Sequence, residues 1–169
     1  MRKPKKLTAL LLAFTLLFAC AACSSGNSTT DSGKTISGTL PEIIDRLYDT
    51  VDVDDEQRDF LKNSVGTVEI PKDQSAYYFG VENLDFEEAV ASEPFINAIA
   101  FSVCLMRVKD GTDIDELKAE IRRSANPAKW ICVDVNPNDV RVESVGDLVL
   151  LIMADDSEKY SEAFYALAE

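Results

Sequence analysis

Histidine is absent from all 169 residues. That one gap closes the Ser-His-Asp and Cys-His routes to nucleophilic catalysis. It also removes His-built catalytic zinc sites and an imidazole switch near neutral pH. Any catalysis would have to use carboxylates, Lys, Tyr, Cys or a bound cofactor, and no cofactor or metal is expected from the motifs present. Basic residues are the second shortage, with 17 Lys and Arg against 30 Asp and Glu and a net charge of -13. Four of those basic residues, Arg2, Lys3, Lys5 and Lys6, sit at the start of the chain. Without them 13 remain against 30 acidic ones, a balance of -17. So acidic a surface repels phosphate backbones, and no nucleic-acid partner is expected. Long apolar runs are scarce too: the one at 7–18 is too short to span a bilayer as a settled helix.

What is present at the start of the chain has the layout of an export signal: a basic segment at 1–6, the apolar run at 7–18, then the small residues Ala19, Ala21 and Ala22. Leu17-Phe18-Ala19-Cys20 resembles the bacterial lipobox, an aliphatic residue followed two places later by a small one and then Cys. Cys20-Ala21-Ala22-Cys23 is the alternative; it lacks the aliphatic residue, but Ser24-Ser25-Gly26-Asn27 is a typical continuation after a lipidated cysteine. The resemblance implies a diacylglyceryl thioether on Cys20, or alternatively on Cys23, and two acyl chains suffice for stable anchoring. The expected organisation is a lipoprotein signal peptide at 1–19 (1–22 if Cys23 is the anchor), a lipidated flexible tether at 20–38, and one globular domain at 39–169. Its expected place is the extracytoplasmic face of the cell membrane.

The periodicities beyond residue 38 predict an α+β fold. Thr39-Leu40-Pro41-Glu42 reads as a capping box, and Leu40, Ile43, Ile44, Leu47, Tyr48 and Val51 recur at helical spacing. The acidic run at 52–56 is no calcium loop, because Gln57 and Asn63 stand where a sharp-turn Gly and a closing Glu are required. A short strand is expected at 66–70, stopped by Pro71, and a central one at 99–106, apolar on both sides. A helix capped by Thr112 or Asp113 follows, then an apolar run at 130–135. Residues 140–145 and 148–153 form a hairpin about Gly146-Asp147, and Asp155, Asp156 or Ser157 starts a last helix. Since the connections are mostly short, the expected sheet is mainly antiparallel with helices packed on one face.

Several of these segments together resemble one family. They are the run from Asp85 to Pro94, Met106-Arg107-Val108-Lys109-Asp110-Gly111-Thr112, Asn126-Pro127-Ala128-Lys129-Trp130 and Val145-Gly146-Asp147-Leu148-Val149. The family is that of domain of unknown function 4358, small lipoproteins of Gram-positive bacteria. The resemblance covers about 39–167; it implies a lipoprotein with one domain and supplies no activity, ligand or catalytic residue.

The residues themselves offer three candidates for a ligand or partner surface: Asp85, Glu87 and Trp130. On a regular strand Asp85 and Glu87 would share a face about 7 Å apart, a spacing compatible with an inverting glycosidase pair. Trp130, with Tyr77, Tyr78 and Phe79, could form an aromatic platform for a glycan or peptide, although core packing is the more ordinary use of such side chains. Cys104 and Cys132 each lie in apolar sequence and are expected to be buried and inert; whether they pair is left open by the sequence. These features favour a membrane-tethered, non-enzymatic binding domain for an unknown protein or cell-wall ligand. The alternative is a carboxylate-based hydrolase of cell-wall glycans. A solute-binding component of a transporter is disfavoured, since it usually needs two lobes.

Overall fold

The computed structural model of the chain describes residues 33–169. The expected signal peptide, Cys20, Cys23 and the first part of the tether lie outside the described residues. Five helices, α1 (Leu40–Thr50), α2 (Asp55–Asn63), α3 (Ser75–Phe79), α4 (Ile114–Ser124) and α5 (Ser157–Ala166), accompany five strands. The strands are β1 (Val65–Glu69), β2 (Phe86–Pro94), β3 (Ser102–Val108), β4 (Val140–Val145) and β5 (Leu148–Met153). They make one sheet in the order β1-β2-β3-β5-β4, with every neighbouring pair antiparallel. The hairpin of β4 and β5 falls where the sequence places it. Gly146 takes a φ of +56° at its first turn position, as type II′ hairpins require.

All six residues of β5 are buried, and so are all of β3 except Arg107. Because alternate side chains point to opposite faces, strands like these need cover on both sides. On one face Val103, Leu105, Leu150 and Ile152 pack with Ile44 and Leu47 of α1 and Phe164 of α5. On the other, Cys104, Met106, Leu151 and Met153 pack with Phe79 of α3, Ile121 of α4 and Trp130. The α+β class and the antiparallel sheet are as expected. The helices, however, cover both faces rather than one, since neither central strand has the polar stripe that an open face would demand.

Local chemistry sets the helix starts. Thr39 and Glu42 form the predicted capping box, while Asp54 and Asp113 accept from the Gln57 and Glu116 amides to cap α2 and α4. Helix α3 ends at Gly80, whose φ of +76° and close approach to the Ser124 carbonyl leave no room for a Cβ. The apolar run at 130–135 forms no strand. It loops back so that the Val135 amide donates to the Pro127 carbonyl at 2.9 Å, and it turns Ile131 and Val133 to solvent.

The domain has two distinguishable ends. Chain entry lies at the end where β3 finishes and β5 begins. There Thr35 and Glu169 exchange backbone hydrogen bonds and Ile36 is buried, so the folded part begins before Thr39, where the tether was expected to continue. Arg107 fixes this entry by donating to Glu88 at 3.0 Å, Asp147 at 2.8 Å and the Gly38 carbonyl at 3.1 Å. At the opposite end, about 17 Å away along β3, lie the loops at 95–101 and 154–156. In urea unfolding monitored by circular dichroism, Leu150→Ala is expected to cost about 2–5 kcal/mol and Thr39→Ala about 1 kcal/mol. A Leu150→Ala cost no larger than that of Thr39→Ala would contradict the two-sided core.

Candidate functional site

The three residues proposed from sequence do not assemble. Asp85 lies just before β2, and the pairing of β2 with β3 slips at Glu87, the extra residue of a bulge between Phe86 and Glu88. The two carboxylates therefore do not hold the regular alternate positions that the 7 Å estimate assumed. Asp85 is exposed and bound by Lys109 at 2.5 Å and Lys72 at 3.2 Å, and these two ammoniums hold its carboxyl below the usual range. Glu87 is exposed. Trp130 is buried in the core, next to Lys129, which pairs with Glu93. Glu93 stands eight residues beyond Asp85, about 25 Å along the strand.

Sequence reading passed over Lys129 itself. Its side chain is 3% exposed, and its ammonium lies 2.5 Å from Glu93 Oε1 and 3.2 Å from Ser102 Oγ. The rings of Tyr77, Tyr78 and Trp130 surround it at 4.8, 5.3 and 5.4 Å to their centroids, within cation–π range. A serine this close to a lysine suggests a nucleophile and base, but the amine of such a dyad must accept the hydroxyl proton. Here the lysine nitrogen donates to Glu93 and Ser102, and the wholly buried Ser102 donates to Glu93 at 2.7 Å. The cluster is a clamp that ties the 125–136 loop to the sheet. Beside it Cys104 is buried, and burial pushes its thiol up to about 11. Cys132 is exposed, contrary to expectation, and both cysteines are free.

A concavity with mixed chemistry opens on the α1/α5 side of the same end. It is a cleft of about 300 Å³, at the small end of ligand sites. Val53, Phe60, Ile99 and Phe101 supply its apolar lining, and Tyr160 its base. Phe101 meets Phe60 edge-on at 5.4 Å and Tyr160 at 6.0 Å. Three carboxylates line it: Asp54, Asp155 and Asp156, with Lys159 as the one ammonium. Lys159 donates to Asp156 at 2.8 Å, a carboxylate contact that raises its pKa. Asp156 itself sits in the left-handed region at φ +54°. The sequence showed Asp54 only within an acidic run and Asp155–Asp156 only as a helix start; that the starts of α2 and α5 converge is a property of the fold.

Between clamp and cleft runs the 95–101 loop, which exposes Phe95 (73%) and Ile96 (62%). A hydrogen bond from the Ile131 amide to the Asn97 carbonyl at 3.1 Å brings Ile131, 64% exposed, alongside them. Among the described residues no group of three or more potential metal ligands gathers at one point, and no helix is long and apolar enough to cross a membrane. No family model, curated protein or solved structure matches the chain.

Two outcomes test the clamp. Glu93→Gln should cost about 3–5 kcal/mol because it strands the buried Lys129 ammonium. Lys129→Met should cost less because Glu93 is partly exposed and keeps its bond from Ser102, and the double variant should cost less than their sum. Additive costs would remove the coupling. Brief iodoacetamide treatment of the native protein, followed by peptide mapping, should label Cys132 and spare Cys104; equal labelling would contradict the burial of Cys104.

Proposed function

We propose that this chain is a lipid-tethered binding domain on the outer face of the cytoplasmic membrane, non-enzymatic, which presents its 95–101 end to a protein partner. The observation that carries the reading is the polarity of the domain: the chain enters beside Arg107 and Gly38, while Phe95, Ile96 and Ile131 are exposed at the other end. Adjacent exposed aromatic and aliphatic side chains are common at protein interfaces and are otherwise a liability. The lipobox-like Cys20, or Cys23, supplies the anchor. From Cys20 to Lys34 the chain reaches at most about 50 Å, which sets how far from the membrane a partner would be met. The resemblance to the Gram-positive lipoprotein family supports the same address.

A glycan hydrolase draws no support from the geometry. Asp85 would have to carry a proton to act as a general acid, and its two lysine partners favour the ionised form. Glu87, on the bulge, offers no fixed second carboxylate.

Mass spectrometry of the mature N-terminus should find the lipid on Cys20 or Cys23; an unmodified N-terminus would remove the anchor. For the partner surface, the chain is cross-linked in native membranes as wild type and as the Phe95→Ser/Ile96→Ser double variant. A protein captured by the wild type and lost from the equally abundant variant is expected. Identical capture profiles would overturn the assignment of this end.

A further inference from the structure

We propose that the cleft between α2, the 95–101 loop and the start of α5 is a binding site for a small organic monocation, an ammonium carried on an apolar body. This rests on the reading of the chain as a binding domain, but it concerns a different surface and has its own test.

The charge balance selects the sign of the ligand. Asp54, Asp155 and Asp156 bring three negative charges to the lining against the single charge of Lys159. The N-termini of α2 and α5 add about half a positive charge each. Arg58, outside the lining, donates to the carbonyls of Tyr48 and Val51 but keeps its charge, which acts on Tyr160. Asp52, whose charge acts on Lys159, is of opposite sign, so the two cancel in the sum. The sum leaves the cleft short of about one positive charge. Asp54 is occupied by the Gln57 amide and Asp156 by Lys159, whereas Asp155 is exposed at the rim. Asp155 is therefore the carboxylate open to a ligand.

The lining selects the body. A hydrated inorganic cation gains nothing from Phe60, Ile99 and Phe101, while an alkyl or aryl group seated on them leaves water. An ammonium seated over an aromatic face in the lining would also be attracted by the ring, whereas an anion there would be repelled. At the base the Tyr160 hydroxyl, in a residue 1% exposed, accepts from Gln57 at 3.1 Å. Its own proton has no acceptor among the described residues, so it is left for a polar atom entering the cleft. The cavity volume of about 300 Å³ accommodates one ring with a short chain and excludes bulky ligands.

The test uses the full chain in nanodiscs of zwitterionic lipid, with heats from empty nanodiscs subtracted. Three probes of one shape are titrated by calorimetry: phenethylammonium, 2-phenylethanol and phenylacetate. Phenethylammonium is expected to bind about fivefold or more tightly than the alcohol, and phenylacetate not to bind. Asp155→Asn should bring the ammonium down to the level of the alcohol. Raising NaCl from about 50 to 500 mM should weaken the ammonium and leave the alcohol unchanged, a comparison that needs no variant. Equal affinity of ammonium and alcohol, or salt-independent binding, would overturn the proposal. That result would leave the capture difference at Phe95 and Ile96 standing, so failure of the cleft and failure of the partner surface are told apart.

Discussion

Leu105 lies opposite Leu150 and Cys104 opposite Leu151 where β3 pairs with β5, and the side chains of this pairing alternate between two dry faces. This doubly buried strand pair is the constraint from which the rest of the molecule follows. A sheet whose centre is apolar above and below must recruit a layer on each side. The chain meets that demand with α1 and α5 on one face, α3, α4 and the 125–136 loop on the other. Both broad faces are thereby spent on stability. What remains for recognition is the strand ends and their loops, the places where a rigid scaffold ordinarily carries its binding residues.

The two ends are finished with different electrostatics. At the entry end Arg107 is partly exposed and shares its fork among two carboxylates and a carbonyl, an arrangement that uses guanidinium geometry and little burial. At the other end Lys129 is taken almost wholly out of water, and the cost of that is offset by a carboxylate, a hydroxyl and three rings. A buried ion pair is a poor source of net stability. Its effect here is positional: it holds Trp130 in the core and thereby sets Ile131 at the surface next to Phe95 and Ile96. The cleft beyond the 95–101 loop has neither clamp; of its three carboxylates, Asp54 and Asp156 hold partners within the protein and Asp155 is exposed.

Much of the fold was legible because its signals are local. The capping box at Thr39, the apolar spacing of α1 and the hairpin about Gly146 each depend on a few consecutive residues, and each appears where the sequence places it. The failures share a cause. The one-face arrangement was inferred from connection lengths, although the two-sided apolarity of 99–106 already argued against it. Cys132 was expected to be buried because its run at 130–135 is apolar, but that run begins beside buried Lys129 and loops with Cys132 exposed. The Asp85–Glu87 spacing assumed a regular strand, and a bulge is not visible in residue types. The cleft was illegible for a different reason: Asp54, Phe101 and Asp155 are brought together by the tertiary fold, and each reads alone as a cap or a core residue.

The direction of the strands has a mechanical consequence. β3 runs between the loop beside Phe101 and the entry point at Arg107, so a pull between a partner held at one end and an anchor at the other acts along the strand axis. Antiparallel ladder bonds lie perpendicular to that axis, and such a pull loads those between β3 and its two neighbours in parallel rather than one at a time. The backbone exchange between Thr35 and Glu169 and the Arg107 contact to Gly38 stand where the load would enter, ahead of α1. Under the proposed anchorage, the strand direction would set such tension in shear rather than in peeling.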